Sequence, residues 1–296
     1  MTLRHPLSPP EFPAPWACDW GEDRYGLWMA FNYQGIRQAF RWIAAGRFLM
    51  GSPPDEKERD EDETQHPVTL TQGYWLADTA CTQALWQAMM DDNPSYFKGA
   101  ELPLENVSWV DTQVFLERFN TFHSSLQMRL PTEAEWECAC RAGTTTPFSF
   151  GANITPDQVN YNGRYPYQDG KQGLYRGATV AVKSLPPNAW GLYEMHGNVW
   201  EWCSDWYSAY GVDAQTDPAG AGLGKFRVLR GGSWFFIGRL CRSAHRNRHT
   251  PVSRDYYLGI RFALGHLSYG QEPSGSLSGQ ARHGVAPARA GGQTAG

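Results

Sequence analysis

The sequence predicts an α+β domain, turn-rich and built around an aromatic core. Three observations carry this. Thirteen Trp, 14 Tyr and 14 Phe among 296 residues demand a buried interior, which a disordered chain could not provide. Gly (31) and Pro (20) are abundant while charged residues reach only 19%, against a helical bundle or coiled coil. Helical signals are confined to residues 82–142, after which Gly, Asn, Pro and aromatics alternate as far as 264.

The elements follow in order. Residues 1–23 form an N-terminal arm, Pro-rich at Pro6, Pro9, Pro10, Pro13 and Pro15, and expected to be extended. The domain proper spans 24–264. Its first strands are Tyr25–Phe31 and Arg37–Ile43, the second alternating polar with apolar residues. Phe48–Gly51 follows and ends in a turn. Residues 55–63 carry nine charges in a row and are expected to be a solvated loop, without the Gly and ligand spacing of a calcium loop.

Three helices come next. Thr82–Met90 is short. Ser108–Phe122 has Ser108 as N-cap and an apolar stripe of Val110, Val114, Phe115 and Phe119. Thr132–Ala142 opens on a capping-box pattern, Thr132 to Glu135, and Gly143 is placed to stop it. Later strand candidates are Thr179–Val182, Leu192–His196, Val199–Cys203, Arg227–Gly231 and Gly259–Leu264. Residues 265–296, rich in Gly, Ser, Ala, Gln and Arg, are expected to be a disordered tail.

A formal net charge of −4 gives no global pull toward nucleic acid or anionic membrane. No apolar run approaches the roughly 20 residues of a bilayer span. Residues 1–16 have no apolar core of signal-peptide type, so a cytoplasmic location is expected. The six cysteines are few and scattered, which agrees. Cys138 and Cys140, two apart on a helix, point to different sides and suit neither a chelate nor a disulfide.

Several motifs recur in a fixed order. They are Gly46–Ser52, His66–Val68, Leu102–Trp109, Arg129–Glu137, Pro186–Tyr193, Gly197–Trp202, Arg230–Trp234 and Leu258–Phe262. Together they resemble the formylglycine-generating-enzyme (sulfatase-modifying-factor) domain over about residues 40–264. The resemblance implies a C-type-lectin-like fold with two main helices, a small twisted antiparallel sheet and much irregular chain.

Function must be argued from the site. The oxidase members of that family bind Cu(I) through two cysteines after the Gly-Gly-Ser-aromatic turn, soft ligands for a soft ion. The second cysteine matches Cys241, but the first matches Phe236, which cannot ligate copper. Cys241 is then a small buried residue, or a catalytic one only if the chain is an oxidoreductase acting on a cysteine or thiol substrate. A second branch resembles the iron-dependent sulfoxide synthases of ergothioneine biosynthesis. They need an additional N-terminal helical domain, whereas about forty residues precede the core here and hold one histidine, His5. Asn198 and Glu201 align with a region where family members bind calcium, and their oxygens suit that ion. The competing reading is a Gly-Asn turn entering a core strand, with Glu201 paired to an arginine. Asn160 and Asn162 are candidates for another such site. No cofactor is expected to be required.

Residues 230–262 further resemble the variable region of diversity-generating-retroelement proteins, in which a reverse transcriptase misincorporates at template adenines. Asn codons of the form AAC are the usual targets, and adenine changes in AAC leave the final C. Such codons never encode Lys, Glu, Gln, Met or Trp. These five types supply 55 of 296 residues, yet none occurs in the 23 residues from Phe235 to Tyr257. The candidate variable positions are Phe235, Phe236, Ile237, Leu240, His245, His249, Thr250, Val252, Ser253, Asp255, Tyr256 and Tyr257. Each is reachable from AAC by adenine changes alone. The aromatics among them are expected to be displayed, with Tyr a rigid, amphipathic contact residue. Phe235, Phe236 and Ile237 are consecutive, so at least one must face away from the interior if the stretch is extended. The arginines from Arg227 to Arg261 are expected to donate to buried carbonyls of an irregular chain. The implied function is non-catalytic binding of a protein or other macromolecular ligand, with no membrane and no nucleic acid expected as partner.

Overall fold

The structure is a computed structural model that describes residues 7–265. The tail expected at 265–296 lies outside the described residues except for Gly265, as do residues 1–6. Chain order runs β1 (Asp19–Asp23), β2 (Gly26–Tyr33), β3 (Ile36–Ile43), β4 (Gly46–Met50), β5 (His66–Leu70) and β6 (Tyr74–Ala77). Then come α1 (Gln83–Met90), α2 (Trp109–Phe122), β7 (Met128–Arg129) and α3 (Glu133–Arg141). The second half holds β8 (Trp200–Trp206), β9 (Gln215–Thr216), β10 (Arg227–Arg230), β11 (Asn247–His249), β12 (Leu258–Gly259) and β13 (Ala263–Leu264).

The strands form three sheets, ordered β1-β2-β3-β6-β13-β7, β11-β10-β8-β12 and β4-β5-β9. The four-stranded sheet positions the site. Its pairs are antiparallel except for β12 with β8, which run parallel. The principal core joins Phe40, Trp86, Phe115, Phe119, Trp200, Trp202 and Phe262 across the strands and helices. Trp136, Trp200 and Trp202 are fully buried, as the family motifs imply.

The helix caps match the sequence. Thr82, Ser108 and Thr132 cap α1, α2 and α3, and the last two close capping boxes with Asp111 and Glu135. The buried stripe of α2 differs from expectation. It is Thr112, Phe115, Leu116 and Phe119, whereas Val110 and Val114 are exposed. Both stripes have helical spacing, and it is packing against Trp86 and Phe262 that selects the face around Phe115.

Four further expectations change. Residues 19–23, assigned to the arm, pair antiparallel with β2 as β1. Residues 179–182 and 192–196 contain no strand; the backbone N–H and carbonyl of Val180 are instead both bonded by the Asn198 side-chain amide. The single strand expected at 259–264 is two short ones, β12 and β13, in different sheets. The acidic run is a loop that is only partly solvated: Asp55, Lys57, Glu58 and Glu61 are exposed, whereas Glu56 and Glu63 turn inward.

Candidate functional site

The site is built on the loop joining β10 to β11 and on the loop joining β11 to β12. The first begins at Gly231 and Gly232, both at positive φ. A Cβ on Gly232 would stand 2.6 Å from the Cys241 sulfur, so glycine is required there. Arg230, fully buried, anchors the loop from beneath. It pairs with Glu137 and donates to the carbonyls of Ser243, Ala244 and His245. Arg242 and Arg246 act likewise. Arg242 pairs with Glu56 at 2.6 Å and Glu63 at 2.7 Å and donates to the Glu58 carbonyl. Arg246 pairs with Glu133 and donates to the Asp62 carbonyl. The expected structural role holds for Arg230, Arg242 and Arg246, whereas Arg254 is exposed and pairs with Asp111.

These pairs correct the reading of residues 55–63. Glu56 and Glu63 bury their carboxylates against Arg242, and Asp60 meets Arg239 at 3.2 Å. Like-charged runs are usually solvated, but here a matching set of arginines 180 residues away takes the carboxylates inward. Pairing with His245 and Arg242 holds the Glu63 carboxyl below its usual range despite burial.

Over this base lies an aromatic cluster. Trp234, nearly buried, forms its floor and donates Nε1–H to the Tyr256 carbonyl. Phe235 packs on Trp234 at 5.3 Å, on Phe236 at 5.5 Å, on Tyr256 at 5.8 Å and on Tyr257 at 6.2 Å between ring centroids. Phe236 meets Tyr257 at 5.0 Å and Trp200 at 5.9 Å. Four candidate positions are thus brought together. Phe235 is 41% exposed, and Val252 is 66% exposed on the second loop. Phe236, Leu240 and Tyr257 are half-buried and packed against the main core, which corrects their expected display.

The other candidates divide. Ile237, His249, Thr250, Ser253, Asp255 and Tyr256 are half-buried. Thr250 and Ser253 bond each other at 2.8 Å, Asp255 accepts from the Tyr256 amide, and burial lowers the His249 pKa. His245 is not displayed at all. It is 6% exposed and lies against Asp60 and Glu63, because the acidic loop folds over it.

Residues outside the candidate set extend the surface. Tyr96, 71% exposed, lies 5.9 Å from Tyr256, and Tyr175 stacks on Trp234 at 6.1 Å with Arg164 over its outer face. Exposed tyrosines scattered through turn-rich stretches gave no periodic signal, so only the folded loops reveal them. Beneath them Glu105 is buried, one carboxylate oxygen accepting from the Phe97 amide and the other unpartnered. Burial pushes its pKa up to about 7.

The metal expectations meet the geometry as follows. Cys241 is fully buried and burial raises its thiol pKa, so neither a thiolate nucleophile nor a copper pair with Phe236 fits. Both oxygens of Glu201 are taken by Arg261, and one also by the Trp136 indole, which corrects its assignment as a calcium ligand. Asn198 bonds Asn160 at 3.1 Å, and the Asn160 Oδ1 is buried without a partner. Asn162 is half-buried, and its side chain accepts from the Arg164 amide. A lone amide oxygen falls short of the six to eight oxygens calcium takes.

A profile for the sulfatase-modifying factor enzyme 1-like domain matches residues 33–265. The chain belongs to this family. It is 33% identical over 211 residues to formylglycine-generating enzyme from Mus musculus, covering 68% of this chain and 54% of that one. It is 30% identical over 199 residues to inactive C-alpha-formylglycine-generating enzyme 2 from Bos taurus, covering 65% and 59%. The chain thus spans about half the length of such curated relatives. Among solved structures, Treponema denticola variable protein 1 superposes with a TM-score of 0.69 at 28% identity, covering 80% of this chain and 98% of that one. The family member therefore shares its C-type-lectin-like architecture with a variable protein. No helix among the described residues is long and apolar enough to cross a membrane.

Proposed function

We propose that this chain is a non-catalytic binding protein whose recognition surface is diversified by a retroelement. The observation that carries the reading is Phe236. It stands where the family's oxidases place a copper cysteine, and it packs into a contiguous aromatic cluster instead. The likeness to a variable protein over nearly its whole length supports the same reading. The surface combines an exposed Phe235, half-exposed tyrosines and a buried arginine–carboxylate base. Such a base keeps the loops rigid, so binding costs little ordering. Aromatic anchors then supply the contact energy for a protein or other macromolecular partner. Supporting chemistry from a cofactor is not needed for this role.

The test is genetic. Sequencing the gene from many independent isolates should show substitutions concentrated at the variable positions and confined to adenines of a nearby near-copy template. Variation spread evenly along the chain, or no template, overturns the reading. The family's named enzymes favour a second reading, oxidation of a cysteine substrate. A cysteine peptide with added copper should then drive oxygen consumption that is lost in Cys241→Ala. We expect no consumption by the unaltered chain.

A further inference from the structure

One group of side chains is not used by the aromatic surface. The Nδ1 atom of His245 lies 3.1 Å from Oδ2 of Asp60 and 3.5 Å from Oε1 of Glu63. It is buried and makes no aligned hydrogen bond with either. Ligand atoms from the three residues all lie within 4.8 Å of one another. We propose that Asp60, Glu63 and His245 form a site for a divalent transition-metal ion of the zinc class, with a fourth position open to solvent.

The two distances at His245 suit the ion. Tetrahedral zinc with N and O ligands at about 2.0–2.1 Å holds neighbouring ligands about 3.3 Å apart. The two edges at His245, 3.1 and 3.5 Å, bracket that value. The lone pairs also suit it. Oε2 of Glu63 accepts from both Arg242 and Ser52, whereas Oε1 accepts only from Arg242, leaving a lone pair on the His245 side. Arg239 approaches Oδ1 of Asp60 more closely than Oδ2, which faces His245. The Asp60 side chain is 39% exposed, which lets water take the fourth position. An imidazole nitrogen with two carboxylates selects zinc-like ions over calcium or magnesium, which prefer an all-oxygen shell.

Arg239 and Arg242 already neutralise part of the carboxylate charge, so the loop stands without the ion. The site rests on this geometry and holds whether or not position 245 is diversified. Calorimetric titration of ZnCl₂ into the full chain, stripped with chelator, tests it. One ion should bind per chain. His245→Asn should weaken binding by at least about 100-fold, since losing a mere supporting residue costs about 10–100-fold. Asp60→Asn should weaken it as well, and circular dichroism should show both variants folded. Cobalt in place of zinc should give the intense visible absorption of a four-coordinate ion, absent in His245→Asn. No uptake by the unaltered chain, or variants that bind the ion as tightly as the unaltered chain, overturns the proposal.

Discussion

The ring of Phe235 is 41% exposed, whereas the adjacent Phe236 lies edge-on against Trp200 and Tyr257 at the margin of the main core. The turn after Ser233 sets this division, since Phe236 closes it by donating its amide to the Ser233 carbonyl. Phe235→Ala should therefore cost less, about 0.5–1.5 kcal/mol, from the aromatic contacts its outward ring still makes with Trp234 and Tyr256. Phe236→Ala should cost about 1–3 kcal/mol, less than for a fully buried phenylalanine because the ring is only half-covered. Thermal denaturation of the two variants decides it, and equal losses would mean that both rings serve the core. Codon composition marks both residues only as candidate variable positions. It carried no information on burial, because a codon constrains residue type and not the direction in which a side chain points.

The acidic segment and the arginine-rich loop are one structural unit separated by about 180 residues of chain. Glu56, Asp60 and Glu63 enter from one side and Arg239 and Arg242 from the other. Arg242→Met would leave Glu56 and Glu63 buried without their guanidinium partner. Removing one member of a buried pair costs about 3–5 kcal/mol, and urea denaturation should show a loss of that size. A loss below about 1 kcal/mol would mean that water already reaches the carboxylates. At this scale the sequence was legible where a signal is local. The capping residues Ser108 and Thr132 were readable, and so were the strands around Arg37 and Arg227. It was not legible where partners are distant. Nothing in residues 55–63 announces a complementary arginine set, and periodicity alone could not choose between Val114 and Leu116 as the buried edge of α2. The aromatic site was half-legible for the same reason. The half formed by residues 235–257 shares a contiguous segment, whereas Tyr96 and Tyr175 join it only through tertiary folding.

Among the described residues, burial and ionic or hydrogen-bond partners shift carboxyl groups in opposite directions. Asp60, Glu63, Asp111 and Glu133 are held below their usual range by arginine, histidine or hydroxyl partners. A lowered folded-state pKa stabilises above the unfolded value, and that contribution is lost as pH falls from about 4. Glu105, Glu194 and Asp205 are pushed up to about 7, chiefly by burial. The sign is then reversed, because the folded chain holds protons that the unfolded chain has already released. Their contribution is complete below the unfolded values and disappears as pH rises toward 7. Stability should therefore peak near about pH 5 and decline on both sides. Glu105→Gln isolates one group, because the amide oxygen can keep the Phe97 contact while the amide nitrogen replaces the unpartnered oxygen. The variant should lose less stability than the parent between about pH 5 and pH 8. Melting temperatures across that range measure it, and an unchanged slope would show that Glu105 ionises alike in both states. Since Glu105 lies beneath Phe97, which packs on Trp234, the same titration places a charge under the aromatic surface. A pH-dependent affinity that becomes flat in Glu105→Gln would tie the buried acid to recognition.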